Sequence, residues 1–482
     1  MKVSFFGAAK QVSGSMIYYE VDNLKILVDC GLTQENDIRL DMINNIKKFN
    51  FNPKELNYVF VTHAHIDHCG LIPYLVKCGY RGPILCTIPT LDICAISLLD
   101  CAFIWQREIQ RALKSIEVKK NKAKINNGML VCPYTMEEAE LAMNYFRGYD
   151  FDKEIILNDN VKMYFRHAGH IMGASSLEFH IRKDEYKEEI VLFTGDISGK
   201  KDYHPFVQPV EYIEKADYVI CESTYGNKKH NKKINPEDFI CEKIQKHCIN
   251  LNSTLLIATF SVQRTQEIIY YLKKIYEKNK EFKRIPIYID SPMSINVTKN
   301  VYQKSPEFYG PDDKLSNKEL QEIFDWEQLT YCEDSAQSKS LANGKPKIIL
   351  SSAGMMSSGR IVNHIESFLP VKNACVLTSG YCAPETFGGK LMQAVAAGKK
   401  KINSVVGHEL NIRAEVAKIE GLSGHSDMNS TINYLRNIKG IKKVILNHGE
   451  IDAIEELQKE IKQQLKLEVI VPNLNQSINL KK

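Results

Sequence analysis

Six consecutive positions, His63-Ala64-His65-Ile66-Asp67-His68, hold three histidines and an aspartate. Imidazole nitrogen and carboxylate oxygen are donors that zinc takes. Here they alternate with Ala64 and Ile66, as a metal cage built on a turn requires. A catalytic zinc site keeps one position open for water. Two metals about 3.5–4 Å apart clamp both the attacking and the leaving oxygen of a phosphoryl displacement. Such a pair needs roughly six to eight donors, at least one of them shared. Three more donors stand on comparable turns: His170 in Arg166-His167-Ala168-Gly169-His170, Asp196 in Thr194-Gly195-Asp196, and His448 in Asn447-His448-Gly449-Glu450. Five of the 13 histidines and two aspartates thus occupy such turns. Gly169, Gly195 and Gly449 stand beside them, where a backbone must bend tightly. Alone, His170 or His448 reads as an ordinary loop histidine; joined to the 63–68 run, each reads as a ligand.

The elements that must hold these groups follow from apolar periodicity. Tyr58–Val61 is a short β-prone run before the cluster, and Leu71–Gly79 after it reads as a helix stopped by Gly79. The cluster therefore sits where a buried strand exits into a helix. Lys2–Phe6 is a strand, and Met16–Val21 and Leu24–Asp29 flank Asp22-Asn23, a pair suited to a hairpin turn. Pro89–Gln110 carries a long apolar helix pattern, and the lysine-rich 114–127 stretch reads as an exposed loop. Thr135–Phe146 is a helix with Thr135 as N-cap and Glu138 three residues later. Strands resume at Val161–Phe165, Leu177–Ile181, Ile190–Phe193 and Tyr218–Cys221, the last running into Glu222-Ser223-Thr224-Tyr225-Gly226. Polar groups at successive strand ends predict one edge where loops converge.

From about residue 210 the rhythm changes. Leu255–Phe260, Ile285–Ile289, Lys347–Ser351 and Cys375–Ser379 alternate with helix patterns, as in a parallel sheet covered by helices. Strands return after about residue 400, with polar turns at Leu422–Asp427 and Asn447–Glu450 and a last strand at Leu467–Val471. The organisation expected is a first domain begun over 1–208, an inserted α/β block over 209–398, and a return segment over 399–482.

A chain of 482 residues supports two or three domains. A net charge of +5 permits a nucleic-acid partner without arguing for one. The 13 cysteines form no CxxC pair, no secretory segment follows Met1, and no apolar run reads as long enough to span a bilayer. The expectation is a cytoplasmic protein with reduced thiols and no membrane partner.

Residues Thr62–Gly70 match the HxHxDH signature of the metallo-β-lactamase superfamily. Asp29 in Val-Asp-Cys-Gly, His170 in Ala-Gly-His-Ile-Met-Gly-Ala and Asp196 in Thr-Gly-Asp resemble its other motifs. Glu222 in Glu-Ser-Thr-Tyr-Gly, His425 in Ser-Gly-His-Ser-Asp and His448 in Asn-His-Gly-Glu resemble three further motifs of the β-CASP subgroup. That subgroup includes the endonuclease subunit of the eukaryotic mRNA cleavage and polyadenylation machinery and its prokaryotic relatives. The resemblance covers nearly the whole chain. It implies an α/β fold: a metallo-β-lactamase αββα sandwich with an inserted β-CASP domain of parallel-sheet type. It also implies two zinc ions, one held by His63, His65 and His170, the other by Asp67, His68 and His448, with Asp196 bridging. Asp29 resembles the residue that orients a ligand histidine; as a residue by itself it could equally be satisfied by amides in a turn. His425 resembles the general acid to the leaving oxygen, with Glu222 orienting it and keeping it charged. The alternative for Glu222 is a cap of the following turn.

In the inserted block, Phe260–Gln266 and Ser351–Arg360 lie at strand-to-helix junctions, where free amides attract phosphate. Both resemble phosphate-contacting loops of β-CASP nucleases, which makes Ser261, Arg264, Ser352, Ser357, Ser358 and Arg360 candidates. The basic runs Lys119–Lys124 and Lys228–Lys233 read as solvated charge, with contact to backbone phosphates as the alternative. The function implied is a zinc-dependent phosphodiesterase that cleaves single-stranded RNA by in-line attack of a metal-bound hydroxide. Endonuclease is favoured over 5′-exonuclease, and a homodimer is left open. DNA-cutting relatives typically lack a histidine at the last motif, so His448 favours RNA. A non-catalytic scaffold partner would have lost ligands that are all present here. Hydrolysis of a thioester or lactam fits poorly with an insertion of 190 residues that would roof the site.

Overall fold

The structure, a computed structural model, describes residues 1–33, 45–46, 49–119, 132–199, 205–230, 235–305 and 317–481. The chain divides into two units, Met1–Lys229 with Gly424–Lys482, and His230–Ser423.

The first unit is built on two seven-stranded sheets. One holds β1 (Lys2–Phe5), β2 (Ile17–Val21), β3 (Leu24–Val28), β4 (Tyr58–Phe60), β5 (Ile84–Thr87) and β6 (Phe146–Tyr149), with the strand Ser477–Asn479 outside β1. The other holds β7 (Ile155–Ile156), β8 (Val161–His167), β9 (Ser175–Arg182), β10 (Glu188–Phe193) and β11 (Tyr218–Glu222), followed by Lys443–Asn447 and Glu468–Ile470. The β2–β3 turn is the expected pair, Asp22 and Asn23 at φ 45° and 64°, the left-handed values a tight hairpin demands. Alternate residues of each strand face inward. Ile17, Tyr19 and Val21 of β2 join Leu177, Phe179 and Ile181 of β9 in one apolar core. Phe60 meets Phe179 edge to face, centroids 5.3 Å apart at 88°. Each such side chain contributes about 1.5–3 kcal/mol through burial.

Strand direction places the functional ends. β3, β4, β5 and β6 pair in parallel, as do β10, β11 and Lys443–Asn447. β8 is antiparallel to β9, which is antiparallel to β10, so β8 runs with β10. In register, Phe193 lies beside Ile220 and Ile220 beside Ile445, so the residues after each strand emerge at one edge.

Several expectations need correction. The helix α3, Ile88–Lys119, follows α1 (Ile66–Cys69) and α2 (Ile72–Lys77) and is 32 residues long. It absorbs 114–119 of the expected loop, whose remainder lies outside the described residues. Its Ile88–Gln110 stretch, 23 residues that include an 18-residue window of mean hydropathy 1.7, is long and apolar enough to cross a membrane by length and composition. Asp92 and Asp100 interrupt the run and hide it from a scan for charge-free stretches. Ile93, Cys94, Leu98, Ala102 and Trp105 are buried on one face of it, Trp105 edge-on to Tyr134. The last strand is Ser477–Asn479, not the one near 467–471, and it pairs with β1. The unit borders also lie later than 208 and 398. β11 pairs with β10 and with Lys443–Asn447, which keeps the chain in the first unit through Lys229. Glu415–Lys418 pairs with Cys375–Thr378, which keeps it in the second through Ser423.

The second unit carries a six-stranded sheet in the order Leu329–Tyr331, Ile287–Ile289, Lys347–Ser351, Thr254–Ala258, Cys375–Thr378, Glu415–Lys418. Every pairing is parallel. Its three central strands are buried along their whole length, as a sheet covered on both faces requires.

Candidate metal centre

The turn after β4 delivers His63, and His65 takes the N-cap position of α1, so Asp67 and His68 fall in that helix's first turn. His170 lies on the turn between β8 and β9, Asp196 follows β10, and His448 follows Lys443–Asn447 with a left-handed φ of 53°. Gly31 lets the segment after β3 lie against α1: a Cβ there would stand 1.7 Å from the Asp67 carbonyl oxygen.

Two donor groups result. His63 Nε2 and His170 Nε2 each lie 3.1 Å from His65 Nδ1. Asp196 Oδ2 completes this group at 3.6 Å from His63 and 3.7 Å from His170. In the second group, His68 Nε2 faces His448 Nε2 at 3.1 Å, and Asp67 Oδ2 lies 3.5 Å from His448 and 3.9 Å from His68. Asp196 Oδ2 is also 3.4 Å from His68 Nε2, so one oxygen faces both groups. A tetrahedral ion bound at about 2.0–2.1 Å separates its ligands by about 3.3–3.4 Å, which the spacings bracket. Asp196 Oδ1 is buried with no hydrogen-bond partner among the described residues. The donor set fits a metal.

In four of the five rings the outer nitrogen has its own partner. His68 Nδ1 lies 2.7 Å from Asp29 Oδ2, and His170 Nδ1 2.6 Å from the Gly424 carbonyl oxygen. His63 Nδ1 meets Thr62 Oγ1 and His448 Nδ1 meets Thr224 Oγ1, both at 3.1 Å. Such partners fix tautomer and ring orientation. Asp29 also accepts the Thr62 amide at 2.8 Å, so it faces His68 and the turn at once.

Electrostatics agree. Burial holds His63 and His170 well below the usual imidazole range and His65 at about 4, so all three are neutral, the ligating form. Burial opposes ionisation of Asp67 and Asp196, but the neighbouring histidines outweigh it and both carboxyls are held low. His68 is pushed the other way: against burial, Asp196 and Asp29 raise it well above its ordinary value. That excess of negative charge is what a cation would neutralise.

His425 stands beside both groups. Its Nδ1 lies 3.1 and 3.2 Å from the two Glu222 oxygens and 3.9 Å from Asp196 Oδ2. Glu222 Oε1 accepts the Ile197 amide at 2.8 Å and Oε2 the Thr224 amide at 3.3 Å, so it caps its turn and faces His425 at once. Burial works against the imidazolium, but Glu222 and then Asp196 raise it to about 9. Asp67 and His425 are each 21% exposed, which marks the side open to solvent.

The six phosphate candidates lie in the second unit. Two of them are turned inward. Arg264 is buried against Glu267. Arg360 donates to Asp290 Oδ1 at 2.6 Å and to the Cys332 carbonyl at 2.8 Å. Ser352 Oγ shares a hydrogen bond with Ser294 Oγ at 3.0 Å, and Ser357 Oγ accepts the Phe387 amide at 3.1 Å. Ser261 and Ser358 stay on partly exposed loops. Of the basic runs, Lys228 lies over the Tyr225 ring at 4.8 Å. Lys120–Lys124 and Lys232–Lys233 lie outside the described residues. Sequence reasoning passed over Thr62, Thr224, Gly31 and Gly424. All four stand inside the quoted motifs; for the first two, a hydroxyl beside a ligand was the available signal.

Comparison with known proteins accords with this geometry. Residues 9–77 match a profile described as the metallo-beta-lactamase superfamily, and 265–391 one described as the Beta-Casp domain. Residues 409–472 match a Zn-dependent metallo-hydrolase RNA specificity domain. "Ribonuclease TTHA0252" of Thermus thermophilus is 28% identical over 463 residues, 95% of either chain. "Transcription termination factor FttA" of Methanocaldococcus jannaschii is 27% identical over 497 residues, all of this chain and 72% of that one. An "RNase J-like protein" of the same organism is 28% identical over 474 residues, covering 98% of this chain and 97% of that one. The crystal structure of a protein of unknown function from Enterococcus faecalis shares the fold, at TM-score 0.52, 14% identity and 99% coverage of both chains. The chain belongs to the β-CASP group of the metallo-β-lactamase superfamily.

Proposed function

We propose that this protein is a zinc-dependent phosphodiesterase that cleaves single-stranded RNA internally. The observation that carries the proposal is Asp196 Oδ2, which faces both imidazole groups at 3.4–3.7 Å and so suits a shared ligand of two ions. When bound, a zinc pair supplies Lewis acidity toward a phosphoryl group and activation of water at neutral pH. The remaining chemistry belongs to the chain. His63, His65, His170, Asp67, His68, Asp196 and His448 present donors from rigid strand ends. Glu222 engages His425 Nδ1, which leaves Nε2 as the atom to protonate a leaving oxygen. The choice of RNA is supported by the relatives named ribonuclease and by the RNA specificity profile over 409–472.

The test pairs metal analysis of the purified protein with cleavage of one RNA labelled at its 5′ end. Two zinc ions per chain and internal fragments are expected, with cleavage abolished in Asp67→Ala and His68→Ala. A mononucleotide product would make the enzyme a 5′-exonuclease. Faster cleavage of a matched DNA strand would move the substrate class. Full activity after metal stripping would overturn the proposal.

A further inference from the structure

The loop Glu222-Ser223-Thr224 touches the candidate centre three times in three residues. Glu222 faces His425. Ser223 fixes the backbone around His448: its amide donates to the His448 carbonyl at 3.0 Å and its hydroxyl to the Asn447 carbonyl at 2.8 Å. Thr224 Oγ1 lies 3.1 Å from His448 Nδ1 and 3.3 Å from the His448 carbonyl oxygen. These contacts join residues 224 positions apart in the chain.

Only one hydrogen assignment satisfies both Thr224 contacts. A carbonyl oxygen can only accept, so the hydroxyl donates its single proton there, and its lone pair must accept from Nδ1–H. The His448 ring is thereby fixed as the Nδ1–H tautomer, with the Nε2 lone pair turned toward His68 Nε2 and Asp67 Oδ2. Thr62 repeats the device. It donates to Asp29 Oδ2 at 3.0 Å, a group that can only accept when ionised, and so accepts from His63 Nδ1–H at 3.1 Å. His448 is 5% exposed, so water is a poor substitute for either contact.

We propose that Thr224 is a positioning residue whose hydroxyl holds His448 in the ligating tautomer and ring orientation. This rests on the reading of Asp67, His68 and His448 as one metal-holding group. The same residue's amide holds Glu222, so its backbone serves His425 while its side chain serves His448. Removing the hydroxyl alone separates these two tasks.

The experiment is zinc competition against a chromogenic chelator with the full chain, for the parent, Thr224→Val, Thr224→Ser and Asp67→Ala. Thermal melts of the stripped proteins serve as the folding control. Valine keeps the branched shape and the amide; serine keeps the hydroxyl. The expected result is two zinc ions in the parent and a loss of about 10–100-fold in affinity for one ion in Thr224→Val. Thr224→Ser should stay near the parent, and Asp67→Ala should weaken the same ion that Thr224→Val weakens. If Thr224→Val melts early, Thr224→Ala replaces it in the comparison with serine. Parent-like affinity for both ions in the hydroxyl-free variant would overturn the inference, as would equal weakening by serine and valine. A parent that binds no zinc would instead remove the metal reading itself.

Discussion

Asp29 Oδ2 lies 2.7 Å from His68 Nδ1, across 39 residues of chain. Asp29 follows β3 with a left-handed φ of 61° and faces a histidine that emerges beyond the neighbouring parallel strand β4. Asparagine tolerates that backbone conformation, so Asp29→Asn changes charge with little strain. The expected outcome is a fall of about 10–100-fold in affinity for one zinc ion, with the melting temperature of the stripped protein nearly unchanged. Chelator competition measures it, and undiminished affinity would show that Asp29 serves the turn alone.

Gly31 has no room for a side chain. A Cβ would stand 1.7 Å from the Asp67 carbonyl oxygen and 2.8 Å from the His68 amide nitrogen. Gly31→Ala must therefore push α1 away from β3 or distort both. A destabilisation of about 1–3 kcal/mol is expected, together with loss of the ion held by Asp67 and His68. Urea unfolding and metal analysis check the two halves. An unshifted midpoint with full metal content would refute the close-approach argument.

His425 lies outside both donor groups, so its removal should spare the metals. His425→Ala is expected to retain zinc while cleaving RNA about 10²–10⁴-fold more slowly. A phosphodiester with a nitrophenolate leaving group needs no protonation and should lose far less. Equal losses on both substrates would argue against proton donation by this residue.

The second unit offers a test of stability against pH. Lys347 is 2% exposed, donates to the Asn343 carbonyl at 2.7 Å, and sits over the Phe368 ring at 5.6 Å. Burial pushes its ammonium down to about 8 from 10.5. Between those values the unfolded chain holds a proton that the folded chain has released, so stability rises with pH across the window. Below pH 8 the cost is fully present. Lys347→Met should therefore stabilise the second unit at pH 7 by about 1–3 kcal/mol, and the gain should shrink between pH 8 and 10.5. Urea midpoints at pH 7, 9 and 10.5 read this; a gain constant with pH would mean the titration is not the cause.

The sequence by itself determined the donors. Ligand chemistry depends on side-chain type, and a strand-exit turn is legible from a short apolar run followed by alternating His and Asp. The hairpin at Asp22-Asn23 and the capping box of Thr135 with Glu138 were legible for the same reason, since both act within a few residues. The Arg264–Glu267 pair, three apart on one helix, carried a local signal that a phosphate reading passed over. The grouping of the histidines came from the family resemblance; tertiary structure alone decided the rest: the spacing within each group, that one oxygen of Asp196 faces both, that the histidine Asp29 attends is His68, and that Thr224 attends His448. His68 and His448 are 380 residues apart, and their 3.1 Å approach depends on the register of β11 beside Lys443–Asn447 and on two sheets packed through Phe60 and Phe179. Those hydrogen bonds and contacts join distant segments, and no spacing along one chain encodes them.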